Sequence, residues 1–205
     1  MDVLSIDFDI IMAPTIEYYN HMVPSRKWED IQMENPYMYN PKADLSHYNY
    51  LLCLLDKVIT KETDIYVAYN HKMIIDFLSN TNDVNIINID HHHDLSYCLD
   101  KDNKDNCANW AERLFKNGKM KNYIWAKNIN SQLPIDDIQE KLKSYNYIIA
   151  DFNELKGRII NMKFDKVFLC MSPEWVPPYY QQLFYGILDL LNQKLNCHLE
   201  IHEGS

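Results

Sequence analysis

The fold is decided by the stretch Val84-Asn85-Ile86-Ile87-Asn88-Ile89, which leads directly into Asp90-His91-His92-His93-Asp94. The first six residues form a short, nearly continuous apolar run, which is typical of a strand that is covered on both faces. The five residues that follow are all acids or histidines. Because open parallel sheets bind ligands at the carboxyl ends of their strands, this stretch predicts a buried strand that ends in a functional site.

Five further apolar runs of the same kind lie along the chain, and segments with helical spacing separate them. This alternation predicts β-α units, and hence an α/β fold of three layers in which helices cover both faces of a mainly parallel sheet. The predicted strands cover residues 3–12, 65–70, 84–89, 123–126, 147–150 and 167–171, and the predicted helices cover residues 48–59, 73–78, 110–115, 135–142 and 179–195.

The composition limits the possible partners. The chain has 205 residues, of which 47% are hydrophobic, and we expect a single domain over residues 1–205. Its net charge of -9 argues against nucleic acids and membrane surfaces, because both are polyanionic. No apolar run approaches the ~20 residues of a membrane span, and the amino terminus lacks the positive region of a signal peptide. We therefore expect a cytoplasmic protein.

Glycine and cysteine usage excludes two common kinds of site. Only four glycines are present, so the glycine-rich loops that cradle nucleotide phosphates cannot be assembled. The five cysteines are scattered and include no Cys-x-x-Cys pair. This pattern predicts reduced thiols, mostly in the core, rather than a disulfide framework or a zinc site.

The first predicted strand carries the segment Ser5-Ile6-Asp7-Phe8-Asp9. A spacing of two residues puts Asp7 and Asp9 on the same side of an extended chain. Carboxylates are costly to bury among apolar residues unless a cation lies nearby. The plainer alternatives are a strand end that already lies in solvent, or an aspartate that caps the next helix.

In the second acidic segment, the same spacing puts Asp90, His92 and Asp94 on one side of the chain and His91 and His93 on the other. Two carboxylates and one imidazole suit Mn²⁺ or another divalent first-row metal. A structural zinc site would favour thiolates, and none lies at ligand spacing. An exposed, functionless histidine-rich turn is the alternative.

His71 follows the predicted strand 65–70 and so belongs to the same edge of the sheet, although a single histidine there is also typical of a hydrogen bond at a helix end. The four aspartates and two histidines expected at this edge of the sheet carry more negative charge than the ligands of a single metal ion normally do. Two divalent ions can share such a set because carboxylates bridge them, and such pairs generate hydroxide from water. The predicted reaction class is therefore hydrolysis, and the predicted metal ligands are Asp7, Asp9, His71, Asp90, His92 and Asp94.

These segments resemble the metal-binding motifs of the arginase and agmatinase ureohydrolases. Asp90-His91-His92-His93-Asp94 is similar to the family's Asp-x-His-x-Asp motif, and Ser5-Ile6-Asp7-Phe8-Asp9 is similar to its Ser-x-Asp-x-Asp motif. The resemblance implies an arginase-like fold and two Mn²⁺ ions that Asp7 and Asp90 bridge. It further implies that His71 and Asp94 complete the coordination of one ion, and that Asp9 and His92 complete the coordination of the other.

The order of the two motifs is permuted relative to ordinary arginases, in which Ser-x-Asp-x-Asp comes second. The permuted order, Asn109-Trp110 and the later Ser172-Pro173-Glu174-Trp175 resemble peptide arginases. Those enzymes convert arginine side chains of a ribosomal precursor peptide to ornithine and release urea. The resemblance implies an arginine-containing precursor peptide as the partner of this chain.

Three residues outside the ligand set are assigned to the reaction. Glu174 is predicted to hold the substrate guanidinium and to be catalytic together with His93, and Asn109 is predicted to contact the substrate. Plainer alternatives are a rim carboxylate for Glu174, a helix cap for Asn109 and a core residue for Trp110. Residues 24–47 form a long excursion of the lid or binding-loop kind, and the aromatics Trp28, Tyr37, Tyr39 and Tyr48 are candidates either to line a peptide groove or to pack.

Two other functions stay open at this point. The substring Asp90-His91-His92 also resembles the Asp-His-His phosphoesterases, manganese enzymes that cleave phosphodiesters or pyrophosphate. Their early histidine is missing here, and no Arg or Lys closely flanks the motifs, as a phosphate substrate would require. The second alternative is a non-catalytic module that binds a structural metal ion.

Overall fold

The computed structural model describes residues 1–13, 42–95, 106–131, 133 and 143–203. Most of the excursion at 24–47, the predicted helix 135–142, and residues Trp28, Tyr37 and Tyr39 lie outside these ranges. The strands are β1 Asp2–Asp7, β2 Met12–Ala13, β3 Lys42–Ala43, β4 Asp64–Ala68, β5 Val84–Asp90, β6 Met120–Lys127, β7 Tyr147–Asp151, β8 Lys166–Cys170 and β9 Ile201–His202. The α-helices are α1 Leu45–Val58, α2 Ile74–Phe77, α3 Trp110–Lys116, α4 Phe152–Ile159 and α5 Pro178–Leu195.

Seven strands form one sheet in the order β7-β6-β5-β1-β8-β4-β9, and every neighbouring pair in it is parallel. Strands β2 and β3 form a separate antiparallel ribbon. Buried side chains of α1, α4 and α5 pack in one hydrophobic layer, and those of α2 and α3 pack in the other. The prediction of a three-layer α/β fold with a mainly parallel sheet is confirmed.

The order of the strands creates a crevice between β1 and β5. After β1 the chain returns to the sheet at β4, on one side, whereas after β5 it continues to β6 on the other side. Neighbouring parallel strands whose connections leave in opposite directions open a crevice at their carboxyl ends, where ligands bind. Asp7 and Asp90 are the last residues of these two strands.

Polar residues replace apolar ones along one face of the central strands. In β1, Ile6 packs in the layer of α1, α4 and α5, whereas Val3 packs in the layer of α2 and α3. Ser5 and Asp7 continue on the side of Val3, because side chains alternate along a strand. Ser5 pairs in register with Asn88 of β5, and both are buried. The polar face of the crevice is therefore part of the core itself.

The first predicted strand ends earlier than the apolar pattern indicated. Asp7 Oδ1 accepts a hydrogen bond of 3.2 Å from the Asp9 main-chain N–H, and this bond begins a 3-10 turn over Phe8–Ile11. Asp9 therefore lies in a turn and not on an extended chain, which corrects the predicted strand 3–12. The apolar pattern also misses α4, in which Phe152 and Ile159 are the buried residues and Leu155 packs against the core while partly exposed.

The four described cysteines are free thiols, as predicted, but only Cys170 is buried, whereas Cys53 and Cys197 are exposed. The expectation that the cysteines mostly fill the core is therefore wrong for the described residues. None of the helices in the described ranges is both long enough and apolar enough to cross a bilayer.

Helix α1 begins at a side-chain cap. Asp44 Oδ1 accepts the main-chain N–H groups of Ser46 at 2.8 Å and His47 at 3.3 Å, which satisfies two donors that the first turn leaves free. The Asp44 main-chain N–H in turn donates to the Ile11 carbonyl at 2.6 Å. This cap therefore ties the start of α1 to the turn that carries Asp9.

Replacing Asp44 with alanine should lower the free energy of unfolding by about 1 kcal/mol, because the two capped N–H groups lose their acceptor. Chemical denaturation followed by circular dichroism measures this change. Asn49→Ala, on the exposed side of the same helix, is the control and should not destabilise the protein. Equal stability of Asp44→Ala and the wild type would contradict the role of the cap.

Candidate metal centre

One ring nitrogen lies against three carboxylates at the carboxyl end of the sheet. His71 Nδ1 is 3.2 Å from Asp7 Oδ2, 3.2 Å from Asp90 Oδ2 and 3.2 Å from Asp94 Oδ2. This nitrogen is buried and has no hydrogen-bond partner among the described residues, so none of the three contacts has hydrogen-bond geometry. The other ring nitrogen, Nε2, is 2.7 Å from Ser5 Oγ. The contact between Ser5 Oγ and Nε2 therefore orients the ring of His71 so that Nδ1 faces the carboxylates.

A second group of the same kind lies beside the first. His92 Nδ1 is 2.9 Å from Asp9 Oδ2 and 3.8 Å from Asp90 Oδ1. Asp9 Oδ1 accepts the His91 main-chain N–H at 3.2 Å, whereas Asp9 Oδ2 is buried and finds no hydrogen-bond partner in the part of the chain that the structure describes. Asp90 belongs to both groups, one oxygen facing each imidazole.

The spacing of these atoms fits cations. Ligand atoms at about 2.1 Å from one octahedral cation are about 3 Å from their neighbours. The closest contacts in the two groups, 3.2 Å around His71 and 2.9 Å at His92, agree with that separation. The two groups Asp7-His71-Asp90 and Asp9-Asp90-His92 each have ligand atoms that lie within 4.8 Å of one another. Asp94 belongs to neither group, although one of its oxygens lies close to His71.

Hydrogen bonds orient the two central carboxylates. Ser172 Oγ donates to Asp7 Oδ2 at 2.6 Å, and Asn88 Nδ2 donates to Asp90 Oδ2 at 2.9 Å. Each of these aspartates also accepts the main-chain N–H of the residue two positions later. Asn88 Nδ2 lies 3.0 Å from the hydroxyl of Tyr123. Such partners fix the orientation of metal-ligating groups, and sequence reasoning missed all three side chains.

Burial makes two acids of the centre, Asp9 and Asp94, hard to ionise. It is the largest influence on the pKa of Asp9, which is raised well above its usual value, and the charge of Asp7 raises it further. Burial, followed by the charge of Asp90, raises the pKa of Asp94 to about 7. A cation that binds among these groups would offset both effects.

The two imidazoles, in contrast to these acids, hold their charged form more strongly than usual. Burial lowers the pKa of His92, but the charge of Asp9 and its close contact outweigh burial and raise the pKa to about 9. In the same way, the three aspartates around His71 raise its pKa well above the ordinary value despite burial. Without a metal ion, both rings therefore carry protons that balance the carboxylates.

The other histidines of the acidic segment, His91 and His93, belong to neither group. His91 Nε2 is 2.8 Å from the Met12 carbonyl, and its Nδ1 is 3.2 Å from Ser131 Oγ. His93 Nδ1 accepts the Leu95 main-chain N–H at 3.0 Å. Burial lowers the pKa of both rings to about 3, so both are neutral at physiological pH. The catalytic role of His93 stays a prediction.

Residues 90–94 are not extended as the predicted alternation assumed, and Asp90 and His92 share a group that does not include Asp94. Strand β5 ends at Asp90, the chain bends at the next two residues, and Asp94 has a left-handed φ of 51°. Asp94 approaches His71 because of this turn and not because the chain is extended.

The segment after β8 forms one wall of the centre. Ser172 has a left-handed φ of 46°, and the turn that it begins carries Glu174 and Trp175, which are both half-buried. Burial raises the pKa of Glu174, and the charge of Asp7 raises it further. The ring of Trp175 lies 4.5 Å from that of His92. Glu174 is therefore near the metal groups without belonging to either.

Asn109 precedes helix α3, yet its side chain does not cap that helix. It is buried, and its Oδ1 accepts the Asn106 main-chain N–H at 2.9 Å. The predicted contact between Asn109 and a substrate stays a prediction.

No family model, curated protein or solved structure matches this chain. The interpretation of the centre therefore depends on its own side chains.

Asp90→Asn should abolish binding of both divalent ions, because both groups use this carboxylate, whereas Asp9→Asn should remove only one. Elemental analysis after loading with Mn²⁺ and dialysis measures the ions bound per chain. The control is Asp189→Asn, which changes an exposed acid on α5. Equal Mn²⁺ content in Asp90→Asn and wild-type protein would contradict the shared role of Asp90.

Metal binding should release protons, because the rings of His71 and His92 lose theirs when a cation binds. Since the pKa of His92 is raised to about 9 in the metal-free protein, the apparent affinity should increase as the pH rises toward that value. Calorimetric titration near neutral pH, in two buffers with different ionisation enthalpies, counts the protons released. A heat of binding that does not depend on the buffer would contradict this expectation.

Proposed function

We propose that the protein is a binuclear metal-dependent hydrolase that converts arginine side chains of a precursor peptide to ornithine and releases urea. The observation that carries the proposal is the position of Asp90, which is shared by two groups of acids and histidines in the crevice between β1 and β5.

A shared carboxylate favours a pair of ions over a single structural ion. Its two oxygens face different imidazoles, Oδ2 toward His71 and Oδ1 toward His92. One ion would leave one of these imidazoles, and the acids beside it, without a cation. When bound, a pair of divalent ions lowers the pKa of water and supplies hydroxide at neutral pH.

The charge of the centre favours a cationic substrate. Four aspartates are buried at this point, and Glu174 lies close enough to Asp7 for the charge of Asp7 to raise its pKa. A phosphodiester would be repelled by an additional carboxylate, whereas a guanidinium is planar and always charged, and pairs with a carboxylate through two hydrogen bonds. This argument favours a ureohydrolase over a phosphoesterase.

The parallel sheet explains how a permuted motif order is compatible with this function. β1 and β5 are neighbours, so the two motif segments meet at their carboxyl ends irrespective of their order along the chain. The two aspartate motifs can therefore meet in either chain order, and His71 joins them from the end of β4.

The side chains at the centre would have two roles in this hydrolysis, substrate orientation and metal binding. Glu174 holds the guanidinium with its carbon toward the crevice, and the aspartates and histidines hold the ions. Hydrolysis joins the water oxygen to the guanidinium carbon and breaks the bond from that carbon to the side-chain nitrogen. That nitrogen takes up a proton, and the products are ornithine and urea.

The test is a urea assay on Mn²⁺-loaded protein with arginine-containing peptides. We expect urea to form together with ornithine in the peptide, which mass spectrometry detects, and we expect free arginine to be a much poorer substrate. Equal values of kcat/KM for free and peptide arginine would contradict the peptide substrate. Hydrolysis of a phosphodiester without any urea would contradict the ureohydrolase itself and favour the phosphoesterase alternative.

Glu174→Gln should keep both ions and lower turnover by at least ~100-fold, the scale expected when a positioning group is lost. The reason is that the amide keeps the size of the side chain but not the charge that pairs with the guanidinium. Glu154→Gln, an exposed acid on α4, is the matched control and should retain full activity. Loss of metal from Glu174→Gln would instead make Glu174 a ligand or the support of one, and normal turnover would make it a rim acid.

A further inference from the structure

Trp110 makes a directed contact with the centre. It is the first residue of α3, it is completely buried, and its indole Nε1–H donates a hydrogen bond to Asp94 Oδ2. The same carboxylate oxygen lies 3.2 Å from His71 Nδ1. The indole ring lies 4.8 Å from the ring of His71. A residue with only a packing role would not need to aim its single polar atom at this oxygen.

The start of α3 holds the main chain of Asp94 as well. The Ala111 N–H donates to the Asp94 carbonyl at 3.2 Å. Asp94 has a left-handed φ of 51°, a conformation that is uncommon for residues with a side chain, although aspartate adopts it more readily than most. Two bonds from successive residues of α3 therefore fix both the backbone and the side chain of Asp94.

We infer that Trp110 is a positioning residue that holds Asp94 against the ion at His71 and thereby raises the affinity of that ion site over the other. The inference rests on the binuclear centre proposed above. An indole N–H only donates, so it occupies one lone pair of Asp94 Oδ2 and leaves the other free for a cation. Among the described residues, no side chain gives such support to the acid oxygens that face His92: Asp9 Oδ2 has no hydrogen-bond partner there, and Asp90 Oδ1 accepts the His92 main-chain N–H.

The neighbours of Trp110 make its position rigid. Its ring meets the ring of Tyr123 edge-on, with centroids 5.9 Å apart, and the hydroxyl of Tyr123 lies 3.0 Å from Asn88 Nδ2. Asn88 in turn orients Asp90. A change at Trp110 therefore acts most directly on Asp94, whereas Asp90 retains its own support.

Trp110→Phe tests the inference, because it keeps a large ring and removes the N–H. We expect the wild type to bind two Mn²⁺ ions, and the variant to bind one ion with unchanged affinity and the other roughly 10–100-fold more weakly. Electron paramagnetic resonance follows free Mn²⁺ during the titration and also reports the signal of a coupled ion pair, which should form only at higher Mn²⁺ concentration in the variant.

The matched control is Tyr50→Phe, which also keeps an aromatic ring and removes one donor. Tyr50 lies on α1 in the opposite layer, and its hydroxyl donates to the main-chain carbonyl of Lys156 at 2.6 Å, away from the metal groups. Both sites should keep their affinity in this variant. Unchanged binding of both ions in Trp110→Phe, or equal losses in the two variants, would overturn the inference. Failure of the wild type to bind two ions would overturn the proposed function and this inference with it.

A double-mutant cycle with Asp94→Asn tests whether Trp110 changes Mn²⁺ affinity through Asp94. It also keeps the inference testable if Trp110→Phe lowers the stability of the protein. The amide oxygen of the introduced asparagine still accepts the indole N–H but lacks the charge that binds the ion. In this background, Trp110→Phe should cause no further loss of Mn²⁺ affinity, because the two changes act on one interaction. A further loss of 10-fold or more would show that Trp110 does not act through Asp94.

Discussion

The burial of four aspartates in mutual proximity is the constraint on which the structure depends. Asp7, Asp9, Asp90 and Asp94 are each less than 5% exposed, and they lie around two imidazole rings. Close negative charges repel strongly where water is excluded, so a folded chain needs positive charge at this point or protons on some of the acids. Protons on His71 and His92 supply it in the metal-free protein, and divalent cations would supply it more effectively.

The fold provides the place for this arrangement, and the supports come from elsewhere in the chain. β1 and β5 contribute the central carboxylates because they are neighbours at a point where the connections of the sheet diverge. The supporting groups come from three other elements: Ser172 follows β8, Trp110 begins α3 and Tyr123 lies on β6. Packing of the helices and orientation of the acids are consequently linked, since Trp110 belongs both to the core of α3 and to the contacts of Asp94.

The sequence predicts the sheet well because its central strands are buried on both faces and therefore appear as continuous apolar runs. It also predicts that five of these acids and histidines meet in two groups, since His71, Asp90 and His92 follow such runs and Asp7 and Asp9 lie within the first one. It does not predict the 3-10 turn at Phe8–Ile11, because that turn depends on a hydrogen bond from the Asp9 main chain to Asp7 and not on the apolar pattern. The roles of Ser172 and Trp110 also escape prediction, because each depends on a contact with a residue that only the tertiary fold brings close. The role of Asn88 was also missed, but the sequence does contain a signal for it, because a polar residue inside an apolar strand indicates a buried hydrogen bond.

The central claim is that Asp90 bridges two metal ions between β1 and β5. Anomalous diffraction at the manganese absorption edge, from crystals grown with Mn²⁺, tests it most directly. The account predicts two peaks about 3.5–4 Å apart, one beside His71 and one beside His92, with an oxygen of Asp90 next to each. A single peak, or two peaks that do not both contact Asp90, would contradict it.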